Sequence, residues 1–209
     1  SPVISKGGLN QIDLTNVKKR GGEFIESDLA TAASDPELVR KTVEEIVELS
    51  EDRKSWLVFS SGVNHAHMLA NEFDYHDIEV AVITGSDSNK MREKTIADFK
   101  SGKIKCLINV NVLTTGFDHP AVDVVALVRA TASTGLYVQM IGRGTRIAEG
   151  KTDCLVLDFG ENCLRHGFID KVRPKDKSAR TEEGAAPVKQ CEACQTMCPA
   201  AALQCHVCG

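Results

Sequence analysis

The chain has 209 residues, 42% of them hydrophobic and 26% charged, with a formal net charge of −4. This balance excludes a disordered or fibrous chain, and no apolar run approaches the ~18 residues that a membrane span needs. The net acidity gives no sign of wholesale nucleic-acid binding.

The first 33 residues carry a short β-like stretch near Gln11–Leu14, with Gly7-Gly8 and Gly21-Gly22 as punctuation, and read as connector or edge structure. The N-terminus lacks the basic and then apolar run of a signal peptide. It also lacks an initiator Met, and an excised fragment is expected. Ser34-Asp35-Pro36-Glu37 is a helix start, followed by Leu38, Val39, Val43, Ile46, Val47 and Leu49 at helical spacing. The opposite face of that helix is acidic and reads as solvated.

A regular alternation begins at Trp56. Strands are predicted at Trp56–Phe59, Ile78–Ile83, Ile104–Val110, Val122–Val128 and Cys154–Phe159, and helices at Val63–Phe73, Asn89–Lys100 and Gly135–Arg143. Continuous Val/Ile/Leu strands separated by helices predict an α/β fold: a parallel sheet with helices on both faces. Ligands of such folds sit at the C-terminal ends of the strands. Residues 171–190 carry six bases against three acids and no apolar periodicity, and read as a basic linker. The expected division is 1–52 connector and leading helix, 53–170 the α/β domain, 171–190 linker and 191–209 a cysteine-rich module.

Loops after the strands hold the candidate chemistry. Ser60-Ser61-Gly62 and Thr84-Gly85-Ser86 each place hydroxyls and free N–H groups before a helix, where phosphate oxygens bind. Helix capping alone would explain either one. Asn111-Val112-Leu113-Thr114-Thr115-Gly116-Phe117-Asp118-His119-Pro120 puts Asp118 beyond a glycine turn, at the edge where α/β ligands bind; an ordinary Asp-Pro turn is the alternative. In Gln139-Met140-Ile141-Gly142-Arg143-Gly144-Thr145-Arg146, helical spacing puts Gln139, Arg143 and Arg146 on one face. Two glycines inside a helix cost about 1 kcal/mol each against Ala, which suggests that a ligand approaches the backbone. Two guanidiniums beside it suit a phosphate; a basic helix end would leave the glycines unexplained. His65 and His67, two apart, read as surface or capping side chains.

These blocks, in this order and spacing, resemble motifs IV, IVa, V and VI of the second RecA-like lobe of superfamily 2 helicases, over about residues 54–160. The resemblance implies a RecA-like lobe in which Arg143 and Arg146 stabilise charge on a transferring phosphoryl group, with Gln139 opening the motif. Gly116, Asp118 and Gly142 would lie at the nucleotide, and Ser60, Thr84, Gly85, Thr114 and Thr115 at a nucleic-acid backbone. Thr115 and Gln139 stand where DEAD-box RNA helicases carry Arg and His, which turns the expectation toward DNA-acting, DEAH-like or restriction-motor-like members. ATP and Mg²⁺ would be held with an N-terminal helicase lobe, and no Asp-Glu-x-His or Asp-Glu-Ala-Asp string occurs here. Gly150-Lys151-Thr152 only imitates a Walker A loop: Thr145 replaces its first Gly, and the Lys precedes a strand instead of a helix. The chain alone is therefore expected to be inactive as an ATPase.

The tail reads Cys191-x-x-Cys194 and Cys205-x-x-Cys208 about a ten-residue spacer. Paired knuckles let four thiolates converge on Zn²⁺, and 19 residues cannot bury a core without it. Cys198 is an additional thiol, and His206 is not counted as a ligand. Together with thiols in core strands, this fits a reducing, cytoplasmic setting rather than a disulfide framework. A helicase lobe with a four-Cys tail resembles RadD-like bacterial and phage DNA-repair helicases. The competing readings are an RNA helicase lobe, a non-enzymatic nucleic-acid-binding zinc module and a small-molecule Rossmann enzyme; the last lacks Gly-x-Gly-x-x-Gly after its first strand.

Overall fold

The computed structural model describes residues 2–112, 117–169, 172 and 187–209. In chain order the elements are β1 (Val3–Gly7), β2 (Lys19–Arg20), β3 (Glu23–Phe24), α1 (Glu26–Ala33), α2 (Pro36–Leu49), β4 (Trp56–Ser60), α3 (Val63–Tyr75), β5 (Val80–Ile83), α4 (Asn89–Lys100), β6 (Cys106–Asn109), β7 (Val124–Val128), α5 (Thr134–Ile141), β8 (Cys154–Asp158), α6 (Asn162–His166), β9 (Val188–Gln190) and β10 (Met197–Pro199).

Six strands form one parallel sheet in the order β1-β8-β7-β4-β6-β5. The alternation along β4 explains its two-sided cover. Trp56 and Val58 point into a cluster with Val43 and Ile46 of α2 and Leu69 and Phe73 of α3. Leu57 and Phe59 point the other way, to Phe99 of α4 and Tyr137, Met140 and Ile141 of α5. All five β4 residues are buried, and the first four are apolar, as both-face burial favours. The helix starts follow the capping rules: Asp35 accepts from the Leu38 N–H, Ser88 from Met91 and Ser133 from Leu136.

Two sequence expectations change. The strand in the N-terminal segment is Val3–Gly7, paired with β8 from Val3↔Cys154 to Gly7↔Asp158, and Gln11–Leu14 is not strand. The segment expected to be connector or edge structure thus supplies an edge strand, though at other residues than expected. The helix expected to reach Arg143 and to carry Arg146 ends at Ile141, with Gly142 as its C-cap. A Cβ on Gly142 would stand 2.9 Å from the Val138 carbonyl oxygen. One on Gly144 would stand 2.9 Å from Val125 Cγ2 and closer still to the Cys154 sulfur. Gly142 is therefore required by its own helix, and Gly144 by packing against β7 and β8, so neither glycine needs an approaching ligand to explain it.

The cysteine-rich module is a β9–β10 hairpin docked on β1. The Gly7 N–H donates to the Gln195 carbonyl at 3.2 Å, and Gln190 Nε2 donates to the Gly7 carbonyl at 2.7 Å. No helix among the described residues is long and apolar enough to cross a membrane.

Candidate nucleotide and nucleic-acid site

The candidate residues separate to two edges of the sheet. Ser60 is the last residue of β4, and Thr84 and Gly85 follow the C-terminal end of β5. Asp118, Arg143 and Arg146 lie by the opposite edge, where β7 and β8 begin: Gly144 packs on Val125 and Cys154, and Lys151, just before β8, holds both loops. The expectation that Asp118 stands at the C-terminal strand edge is thereby corrected. The segment from Phe117 has already crossed the face of the sheet, with Phe117 and His119 against Phe99 of α4 (centroids 6.2 and 5.2 Å).

At that edge a turn, not a helix face, gathers the arginines. Arg143 Nη1 donates to the Phe117 carbonyl at 2.6 Å, and Arg146 forms an ion pair with Asp118. Gln139 is exposed one turn back on α5. Burial, and then the neighbouring Arg146 charge, lower the Arg143 pKa; a guanidinium stays charged regardless. The Asp118–Arg146 pair is solvent-facing, with side-chain exposures of 65% and 41%. Such pairs contribute about 0.2–1 kcal/mol, so an incoming phosphate could take Arg146 at little cost.

Lys151 escaped the sequence reading as a functional residue. Its Nζ donates to the carbonyls of Pro120 (3.1 Å), Gly144 (2.6 Å) and Arg146 (3.0 Å). One ammonium therefore ties the loop carrying Asp118 to the turn carrying the arginines. No motif signals this, because the three acceptors are backbone atoms from distant segments. Glu23 was also missed. It accepts from Thr131 Oγ1 (2.7 Å), Ala132 N (2.7 Å) and Ser133 N (3.0 Å) and so fixes the start of α5. Burial opposes its ionisation, but these hydrogen bonds prevail and hold it below the ordinary carboxylate value.

At the C-terminal edge, Ser60 is fully buried, and its hydroxyl donates to the carbonyls of Gly62 (3.3 Å) and Asn109 (3.4 Å). A nucleic-acid backbone cannot reach it, so Ser60 is corrected to a loop-holding role. Thr84 is also mostly buried; its hydroxyl lies 2.8 Å from Ser86 Oγ and donates to Asp87 at 3.1 Å. Gly85 is exposed. Thr114, Thr115 and Gly116 lie outside the described residues. His65 is buried, and its Nδ1 accepts the Ser61 N–H at 3.1 Å. Burial lowers its pKa to about 4, which keeps the ring neutral and able to accept.

In the tail, the Sγ atoms of Cys191, Cys194, Cys205 and Cys208 lie within 4.8 Å of one another. Cys191–Cys208 and Cys194–Cys205 are each 3.6 Å apart. A disulfide needs about 2.05 Å. Four sulfurs 2.3 Å from a tetrahedral Zn²⁺ stand about 3.8 Å apart. The cluster fits a metal and not a pair of disulfides.

The helicase conserved C-terminal domain model matches residues 38–148. A mitochondrial ATP-dependent helicase irc3 of Schizosaccharomyces pombe, itself named as putative, is 40% identical over 119 residues, covering 57% of this chain and 20% of that protein. A 51.5 kDa protein of a Lactococcus phage is 27% identical over 207 residues, covering 96% of this chain and 45% of that protein. The chain thus spans less than half the length of these relatives. Among solved structures, Mycobacterium smegmatis helicase Lhr bound to ssDNA and AMP-PNP aligns with TM-score 0.55 at 20% identity over 79% of this chain and 21% of that one. Escherichia coli DEAD-box protein SrmB aligns with TM-score 0.54 at 20% identity over 68% and 92%. These two likenesses speak for the fold alone. Taken with the arginine turn and the six-stranded parallel sheet, the domain match places this chain in the superfamily 2 helicase family, as a helicase C-terminal lobe.

Proposed function

We propose that the chain is the C-terminal motor lobe of an ATP-dependent DNA helicase or translocase acting in DNA repair or phage DNA metabolism. ATP and Mg²⁺ are held between this lobe and an N-terminal helicase lobe of the same protein. Arg143 and Arg146 meet the negative charge that grows on the transferring phosphoryl oxygens. Asp118 holds Arg146 until the nucleotide arrives, Gln139 and Gly142 border the same turn, and the family resemblance puts Gly116 at the nucleotide as well. On the opposite edge, Thr84 and Gly85 meet the nucleic-acid backbone, and the family resemblance gives Thr114 and Thr115 the same role.

One observation carries this reading: a single turn presents two guanidiniums beside the Asp118 carboxylate, at the edge of a lobe of helicase fold. The test uses the full-length protein. Arg143→Ala and Arg146→Ala should each lower DNA-stimulated ATP turnover by about 10³-fold while ATP binding persists, since the charge they meet develops in the transition state. Near wild-type turnover in both variants would refute the reading. Stimulation of turnover by RNA but not by DNA would assign the lobe to an RNA helicase.

In the tail, Cys191, Cys194, Cys205 and Cys208 hold Zn²⁺, which supplies the folding energy of the module. The buried Cys106, Cys154 and Cys163 are not in disulfides, which favours a reducing, cytoplasmic setting.

A further inference from the structure

The cysteine-rich module offers more ligands than one tetrahedral ion uses. Cys198 is 1% exposed and sits on β10 with its Sγ turned toward the cluster. That sulfur lies 3.8 Å from Cys205 Sγ and 3.7 Å from His206 Nδ1. The three atoms lie within 4.8 Å of one another and form a set distinct from the four knuckle thiols except for Cys205. Both distances match edges of a coordination tetrahedron: with metal–sulfur and metal–nitrogen bonds of 2.3 and 2.0–2.1 Å, sulfur–sulfur is about 3.8 Å and sulfur–nitrogen about 3.5 Å. A sulfur pair at 3.8 Å is well outside disulfide range. The Val207 N–H points at Cys205 Sγ from 3.4 Å, the kind of donor that favours a thiolate, and a thiolate has lone pairs enough to bridge two cations.

We propose that Cys198, Cys205 and His206 form a second site for a soft, thiophilic d¹⁰ cation, joined to the four-cysteine ion through a bridging Cys205 thiolate. The proposal rests on the reading of Cys191, Cys194, Cys205 and Cys208 as the first metal site. Two thiolates and an imidazole suit Cd²⁺, Zn²⁺ or Cu⁺ and not a hard, oxygen-seeking ion. Three protein ligands leave the fourth position to solvent or an added thiol, as in sites that keep an open position. His206 is exposed whereas Cys198 is buried, so the second cation would enter from the His206 side.

The test titrates the purified, reduced chain with Cd²⁺, following thiolate-to-metal charge-transfer absorbance and ¹¹³Cd NMR. Two equivalents should bind, giving two resonances, one with four sulfur ligands and one shifted by its nitrogen ligand. His206→Ala, a change on the surface, and Cys198→Ser, nearly isosteric, should each reduce the stoichiometry from two to one and remove only the nitrogen-shifted resonance. Saturation at one equivalent in the wild-type chain overturns the proposal while sparing the four-cysteine site. Two equivalents that persist in both variants overturn it as well, since the second ion then binds elsewhere. Failure to bind any cadmium overturns both sites together.

Discussion

Replacing Gly144 by Ala isolates the contact that sets the arginine turn. The new Cβ would stand 2.9 Å from Val125 Cγ2 and closer still to the Cys154 sulfur, where ordinary carbon contacts are about 3.5–4.0 Å. Val125 and Cys154 are fully buried in adjacent strands of the sheet, so the strain must be taken up by the turn itself. Overpacking of this kind costs about 1–3 kcal/mol. At a mid-range 2 kcal/mol, and 2–4 °C per kcal/mol for a chain of this size, the melting temperature should fall by about 4–8 °C. Cys154→Ala removes the nearer obstacle. It should cost about 1–2 kcal/mol alone through its small cavity. Combined with Gly144→Ala it should give less than the sum, with a coupling of about 1–2 kcal/mol. Thermal and urea melts of the wild type, the two single variants and the double variant measure all three quantities. Strict additivity, or an unchanged melting temperature for Gly144→Ala, would refute the packing explanation and return this glycine to a ligand-approach role.

Lys151→Met should destabilise the chain by about 2 kcal/mol, since it leaves three carbonyls without a charged donor that is itself partly solvated; in the full-length protein ATP turnover should drop with it, read by urea melts and a coupled ATPase assay. The purified chain alone should not hydrolyse ATP; turnover abolished by Lys151→Met would contradict the conclusion that Gly150-Lys151-Thr152 is no phosphate loop. Elemental analysis should find zinc in the wild type and in Cys198→Ser but not in Cys194→Ser. His65 has its folded pKa lowered to about 4 by burial, below the ordinary 6.5 of an unfolded chain. Its contribution is therefore complete above pH 6.5 and is lost as pH falls toward 4, by about 3 kcal/mol in all. His65→Gln should flatten the stability profile in that window, and a profile identical to wild type would show that another group controls it.

The sequence by itself determined the strand–helix alternation from Trp56 to Asp158. A strand buried on both faces must be largely apolar, and a helix between such strands must be amphipathic, so the pattern is written locally. The motif residues and the knuckle spacing were legible for the same reason, because each chemistry demands particular side chains at fixed intervals. Tertiary structure decided what depends on partners remote in the chain. Val3–Gly7 is a strand only because β8 offers an edge at Cys154–Asp158. Gly142 and Gly144 looked like openings for a ligand until the Val138 carbonyl and the strands at Val125 and Cys154 proved to fill the space. Ser60 looked like a phosphate contact until its hydroxyl was found donating to the Asn109 carbonyl. The clasp of Lys151 on Pro120, Gly144 and Arg146 uses backbone oxygens, which every sequence carries. Only the path of the folded chain says which of those oxygens stand together.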